Sequence, residues 1–170
     1  SSKALDAYGL LAGHTIQQTD AEQAYTQAKL GGTATWVRLP RERWPAAWRH
    51  MKDPVCPLIR ALYGHPDAGG YWEHHANKHM IAIGFQPISI WRSTFFHPKL
   101  RLMAVIYVDD FKLAGPAKHM EEGWRLIRKG IKTEDPTPVG KYLGCEHRII
   151  DLECPPDAGV ALAEKPDDKV

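Results

Sequence analysis

The sequence predicts an α+β fold, an antiparallel sheet with two helices on one face in the split βαβ arrangement. Three observations predict it. Apolar, partly β-branched stretches alternate with stretches of helical composition in the order strand, helix, two strands, helix, strand. The most apolar run, residues 103–114, is interrupted by two adjacent acids, as the tip of a tight hairpin interrupts two strands. Glycine- and proline-rich punctuation at Gly31-Gly32, at residues 64–70 and at Gly115-Pro116 falls between these stretches, where turns belong.

Residues 14–19 alternate and include β-branched side chains, which suits a strand ending at Asp20. Residues 21–30 are rich in Ala, Gln, Glu and Lys and predict a helix stopped by Gly31-Gly32. A second short strand is expected at residues 34–39. Pro40, Pro45, Pro54 and Pro57 make residues 40–57 an irregular surface segment. A helix over residues 71–83 stops at Gly84, and two extended stretches, 85–97 and 100–114, join at Pro98-Lys99. Met120, Trp124, Ile127 and Ile131 recur at helical spacing and predict a helix over residues 117–129. A last extended stretch, 141–152, precedes a tail rich in Pro and Asp. One domain is therefore expected over residues 1–153, with a poorly ordered tail at 154–170.

Composition narrows the class of protein. The 170 residues suit a single core, and the apolar fraction of 44% is enough to build it. No run approaches the ~20 apolar residues of a membrane span, so a water-soluble body is expected. The sequence starts without Met and without the regions of a secretory signal, which predicts a trimmed or partial product. Cys56, Cys145 and Cys154 are odd in number and contain no Cys-x-x-Cys pair; reduced structural thiols in a reducing intracellular compartment are expected. A net charge of +2 is weak for a chain that must hold nucleic acid alone. Cationic residues cluster locally, as Arg38, Arg41, Arg43, Arg49 and Lys52, and as Arg125, Arg128, Lys129 and Lys132. A solvated helix face explains the second cluster equally well.

The adjacent acids are Asp109 and Asp110, and turn chemistry alone accounts for such a pair. Nucleotidyl transfer asks for more. It needs clustered carboxylates that hold two divalent metals ~3.5–4 Å apart, one activating the attacking 3′-oxygen and one steadying the leaving pyrophosphate. Two carboxylates 4 Å apart repel by roughly 4 kcal/mol at an effective dielectric of 20, so such a cluster is costly without cations. Asp20, at the end of another predicted strand, is the candidate third ligand.

Four blocks carry a resemblance. Tyr107-Val108-Asp109-Asp110, flanked by apolar residues, is similar to the Tyr-x-Asp-Asp signature of reverse transcriptases. Upstream, residues 18–25 resemble the first catalytic aspartate, Asp20, followed five positions later by an aromatic, Tyr25. Ala61-Leu62-Tyr63-Gly64 with Tyr71-Trp72 resembles the segment beside the incoming nucleotide, and Lys141-Tyr142-Leu143-Gly144-Cys145-Glu146 resembles the hairpin that grips the primer end. Together, over residues 10–150, they resemble the palm of a copia-type LTR retrotransposon reverse transcriptase.

That resemblance implies an RNA-directed DNA polymerase. Asp20, Asp109 and Asp110 would be catalytic and would bind two Mg2+ ions. Tyr25, Tyr63 and Gly64 would form the nucleotide and sugar gate, and Leu143, Gly144 and Cys145 the primer grip. The partners would be an RNA or DNA template-primer and deoxynucleotides. Without the resemblance, a core aromatic on a helix face explains Tyr25 equally well.

The sequence departs from the family where His65-Pro66-Asp67-Ala68-Gly69 replaces Leu-Lys-Gln-Ala-Pro, losing a lysine and placing an acid beside a triphosphate. Before Asp20, where basic fingers belong, the only lysine is Lys3, and no thumb region follows Val170. The fragment by itself is therefore expected to be inactive. The alternative expectation is an exapted structural or accessory subunit of a larger assembly, contacting a protein partner through Trp36, Trp44 and Trp48. His75 and His79 have a spacing that can ligate zinc, but no nearby acid completes a site, and partly exposed helix histidines are the expected account.

Overall fold

The structure, a computed structural model, describes residues 1–148 and residue 150. In chain order the elements are α1 (Ser2–Gly9), β1 (His14–Asp20), α2 (Ala24–Gln27), β2 (Trp36–Val37), β3 (Cys56–Pro57), α3 (Ala68–Ala82) and β4 (Gln86–Pro87). There follow β5 (Thr94–His97), β6 (Leu102–Tyr107), β7 (Asp110–Pro116), α4 (Met120–Arg128), β8 (Thr137–Pro138), β9 (Lys141–Tyr142) and β10 (Cys145–Glu146). The fold is mixed α+β. Its centre is a six-stranded antiparallel sheet in the order β4-β5-β6-β7-β1-β8, with β2-β3 and β9-β10 as separate ribbons.

The central strands are buried on both faces and alternate side chains between two cores. Leu102, Ala104 and Ile106 of β6 join Phe111 and Leu113 of β7 in the larger core. There α3 contributes Ala68, Trp72, Ala76 and Met80, four apart along one stripe, and α4 contributes Met120, Trp124 and Ile127. Met103, Val105 and Ala114 face the other way, onto Leu5 of α1 and Ile16 of β1. Gly9 lets α1 approach this closely, because a Cβ there would fall 2.1 Å from the Ile16 side chain.

Two helices do share one face, but the sheet is covered on the other face as well, by α1, an element with no counterpart in the sequence-based expectation. Only Leu5 and Gly9 of α1 are buried, too few for a helical period to show. The helix expected over residues 21–30 shrinks to the single turn of α2. Gln23 takes a left-handed backbone (φ 47) and Ala28 is already extended, so residues of good helix propensity yield to tertiary bonds. Those bonds run from Gln27 Nε2 to the Glu22 and Lys132 carbonyls and from Lys132 N to Gln27 Oε1. The stretch over 100–114 is the hairpin β6-β7, and β8 is an edge strand that nothing in the sequence announced. Within the stretch expected at 141–152, β9 and β10 form a hairpin; residues 149 and 151–153, the tail at 154–170 and Cys154 lie outside the described residues. Cys145 is exposed rather than structural.

On the α1 side of the sheet one strand residue is a lysine. Lys112 is 1% exposed and pairs with Asp6 of α1 at 2.7 Å. Its ammonium also lies 3.3 Å from Nε2 of His147 and 4.4 Å above the ring of Tyr142. Taking an ammonium out of water costs several kcal/mol, which only a close counter-charge and further bonds can offset. The pair therefore fixes α1 to β7. Asp6→Ala is expected to destabilise the chain by about 2–4 kcal/mol in urea unfolding, because it strands a buried charge. Adding Lys112→Met to that variant should recover most of the loss; a double variant no more stable than Asp6→Ala would show that the charge is not the cause.

Candidate active site

Register brings the acids together. β1 and β7 pair from His14↔Pro116 to Asp20↔Asp110, and β6 and β7 pair as far as Tyr107↔Asp110. Asp20 and Asp110 are thus directly opposed on adjacent strands, where Cβ atoms stand about 4.5–5.5 Å apart. Val108 and Asp109 form the two-residue turn beside them, and the Asp109 carbonyl accepts the Ala21 N–H at 2.7 Å. Asp110, Lys112 and Ala114 alternate onto the α1 side of the sheet, and pairing puts Asp20 on that side with Asp110.

The electrostatics follow from this crowding. Burial, the charges of Asp20 and Asp109, and a hydrogen bond shared with Asp20 push the Asp110 carboxyl up to about 6. Asp109 also acts on Tyr63, whose hydroxyl is pushed up first by burial and then by that carboxylate. Among the described residues, no three His, Cys, Asp or Glu side chains are gathered tightly enough to hold a metal ion as they stand. The assembled part is the pair Asp20–Asp110, with Asp109 on the adjoining turn.

The turn itself is strained. Val108 has φ 55, a left-handed backbone in which a β-branched residue is an outlier and which glycine occupies readily. Such a conformation costs about 1–3 kcal/mol and persists only where the surroundings over-determine it. Here Trp72 of α3, buried in the larger core, donates Nε1–H to the Val108 carbonyl at 2.6 Å, while Ala21 holds the next carbonyl. The bond from Trp72 to the turn has no signature in sequence.

The other candidate residues gather around this turn to different degrees. Tyr25 on α2 and Tyr63 pack with ring centroids 4.5 Å apart and planes tilted by 44°. Gly64, next in the chain, has φ 91 and open space about it. Leu143 and Gly144, with φ 48 and 79, form the two-residue turn between β9 and β10, both corners left-handed as a type I′ hairpin requires. Cys145 begins β10. A cleft of about 540 Å3 runs between Tyr25, Trp72, Tyr107, Val108 and Leu143, so both turns share its rim. Glu73 and Arg92 close one side of it with an ion pair, and the Arg92 hydrogen bonds keep the Glu73 carboxyl low. His75 and His79 lie elsewhere: their Nε2 groups donate to the carbonyls of Gly130 and Ile127 at the end of α4.

Two expectations follow. Val108→Gly removes the strain at the turn and should raise stability by about 1 kcal/mol in chemical unfolding, whereas Trp72→Phe should lower it by a similar amount or more. For Asp110, a folded carboxyl at about 6 against an unfolded value near 3.8 means that the fold gains by protonation. That gain is complete below about pH 4 and is lost as pH rises through 6. Asp110→Asn should thus be about 1–2 kcal/mol more stable than the parent at pH 7.5, after discounting for solvent, and no more stable at pH 4. A difference independent of pH would show that the cluster does not strain the chain. No protein-family model matches this sequence, and comparison with curated proteins finds no relative.

Proposed function

We propose that this chain is the palm-like domain of an RNA-directed DNA polymerase, with Asp20, Asp109 and Asp110 as its nucleotidyl-transfer carboxylates. The observation that carries the reading is the pairing Asp20↔Asp110 beside the Val108–Asp109 turn, which brings Asp20 to the sheet end that carries the adjacent Asp109 and Asp110. Burial, then the neighbouring charges of Asp20 and Asp109, push Asp110 up to about 6, an arrangement that bound cations relieve. An all-oxygen donor set suits a hard divalent ion such as Mg2+, with Asp20 and Asp110 as ligands and Asp109 as the third donor from the turn. Such an ion, when bound, supplies charge stabilisation at the attacking and leaving oxygens.

The remaining roles belong to side chains. Tyr25, packed on Tyr63 and lining the cleft, is the surface against which a sugar ring packs, with Gly64 beside it; the Leu143-Gly144-Cys145 turn steadies a primer end across the cleft. The template-primer and deoxynucleotides are the proposed partners. Tested alone, the chain is expected to extend primers little, since Asp67 is exposed at the segment beside the nucleotide.

A second reading, an accessory subunit bound to a protein partner, is favoured by one observation: Trp36 is 58% and Ile59 71% exposed, with Met51, Val55, Leu62 and Tyr63 also open to solvent. Trp44 and Trp48 support it less, being half-buried, with Trp44 bonded to the Leu39 carbonyl and stacked under Arg41. Among the described residues no helix is long and apolar enough to cross a membrane.

A Mn2+ titration tests the first reading. Millimolar Mn2+ should raise the melting temperature of the chain, and Asp20→Asn or Asp110→Asn should abolish the rise. A chain whose melting is indifferent to Mn2+, or whose response survives both substitutions, has no metal site at these acids.

A further inference from the structure

The carboxylate pair shares its face of the sheet with a buried polar group that has nothing to bond. Tyr142 of β9 is 3% exposed, and its hydroxyl is the one buried side-chain polar atom without a hydrogen-bond partner among the described residues. A buried hydroxyl left unpaired costs about 1–3 kcal/mol, so its persistence needs a reason. The ring is fixed from one side by the Lys112 ammonium, two residues along β7 from Asp110. Charges of Asp110, Asp6 and Asp20 lie close enough to add to burial in holding the hydroxyl protonated, so it stands ready to donate. Asp6 is already engaged by Lys112 at 2.7 Å and faces His147 Nε2 at 3.5 Å. The ribbon that carries Tyr142 is tied to β1 through Gln18, two residues from Asp20 on the same face, as Lys112 is two residues from Asp110 on β7.

We propose that Tyr142 is a positioning residue for this site: its hydroxyl donates to a carboxylate oxygen of Asp110 or Asp20 that a bound divalent cation leaves free. The inference rests on the carboxylate reading above and assigns Tyr142 a task beyond it. A carboxylate that gives one oxygen to a cation holds its orientation best when the other oxygen is hydrogen-bonded, and loss of such a partner typically weakens metal affinity about 10–100-fold. The hydroxyl that the fold leaves without a partner becomes a satisfied donor when the cation is bound.

Calorimetric titration of Mn2+ alone into the full chain and into Tyr142→Phe decides it, with melting curves of both recorded without metal. The phenylalanine variant should melt without metal at the parent temperature or slightly above, since the hydroxyl has no bond to lose, while its Mn2+ dissociation constant rises about tenfold. An unchanged dissociation constant overturns the assignment. So does a metal-free melting temperature lowered by several degrees, which would mean that the hydroxyl serves the fold itself. If the parent chain binds no Mn2+ at all, the carboxylate reading falls and takes this inference with it; if the parent binds and Tyr142→Phe binds equally, only the inference falls.

Discussion

The register between β1 and β7 is the constraint on which the site depends. Because side chains alternate faces, a slip of one residue would turn Asp20 towards Phe111 and Leu113 and strand a carboxylate in hydrocarbon. Several independent contacts resist that slip. Ile16 packs beneath Gly9 on one face, and Gln17 accepts the Trp124 indole N–H at 2.7 Å on the other. Thr19 donates to the Glu134 carbonyl at 2.8 Å. Each anchors a neighbouring residue of β1, so the position of Asp20 opposite Asp110 is set by these contacts along the strand and not by the acids alone.

The two faces of the sheet divide the labour. One is hydrocarbon throughout its centre and carries α3 and α4, and it supplies the rigidity that pins the Val108 turn through Trp72. The other gathers the ionisable groups Asp20, Asp110, Lys112, Asp6 and His147 under a helix of eight residues. Charges placed together in partial burial are tolerated only with counter-charges in fixed positions. That is why α1, nearly featureless in composition, matters to the site: Asp6 neutralises the lysine that would otherwise make β7 untenable.

How far the sequence foretold this follows from the range of the interactions involved. α3 was legible because its stretch is entered through a Gly- and Pro-rich turn and stopped at Gly84, and α4 because Met120, Trp124 and Ile127 repeat at the spacing of a buried stripe. The acidic hairpin was legible because Asp109 and Asp110 interrupt an otherwise apolar run. α2 was overestimated because propensity counts Ala, Gln and Lys but not the bonds from Gln27 to Lys132, across 105 residues. Lys112 could not be read as buried: a lysine in a strand ordinarily reaches water, and its partner Asp6 lies 106 residues away. Nor does the sequence distinguish an ordinary hairpin tyrosine from one whose hydroxyl is buried without a partner.

The two turns at the cleft differ in a way that follows from their chemistry. Leu143-Gly144 has glycine at one of its two left-handed corners, whereas Val108 holds its conformation against its own β-branching with no glycine beside it. The Val108 turn stays in place only while Trp72 and Ala21 hold its carbonyls, so the carboxylate beside it is presented on a stiff support. The Leu143-Gly144 turn belongs to a ribbon outside the main sheet, tied to it by Gln18, which donates to the Lys141 carbonyl at 2.9 Å and accepts the Gly140 N–H at 3.2 Å. Gln18 and Asp20 lie on the same face of β1, two residues apart. One strand therefore sets both the carboxylate pair and the base of the opposing hairpin.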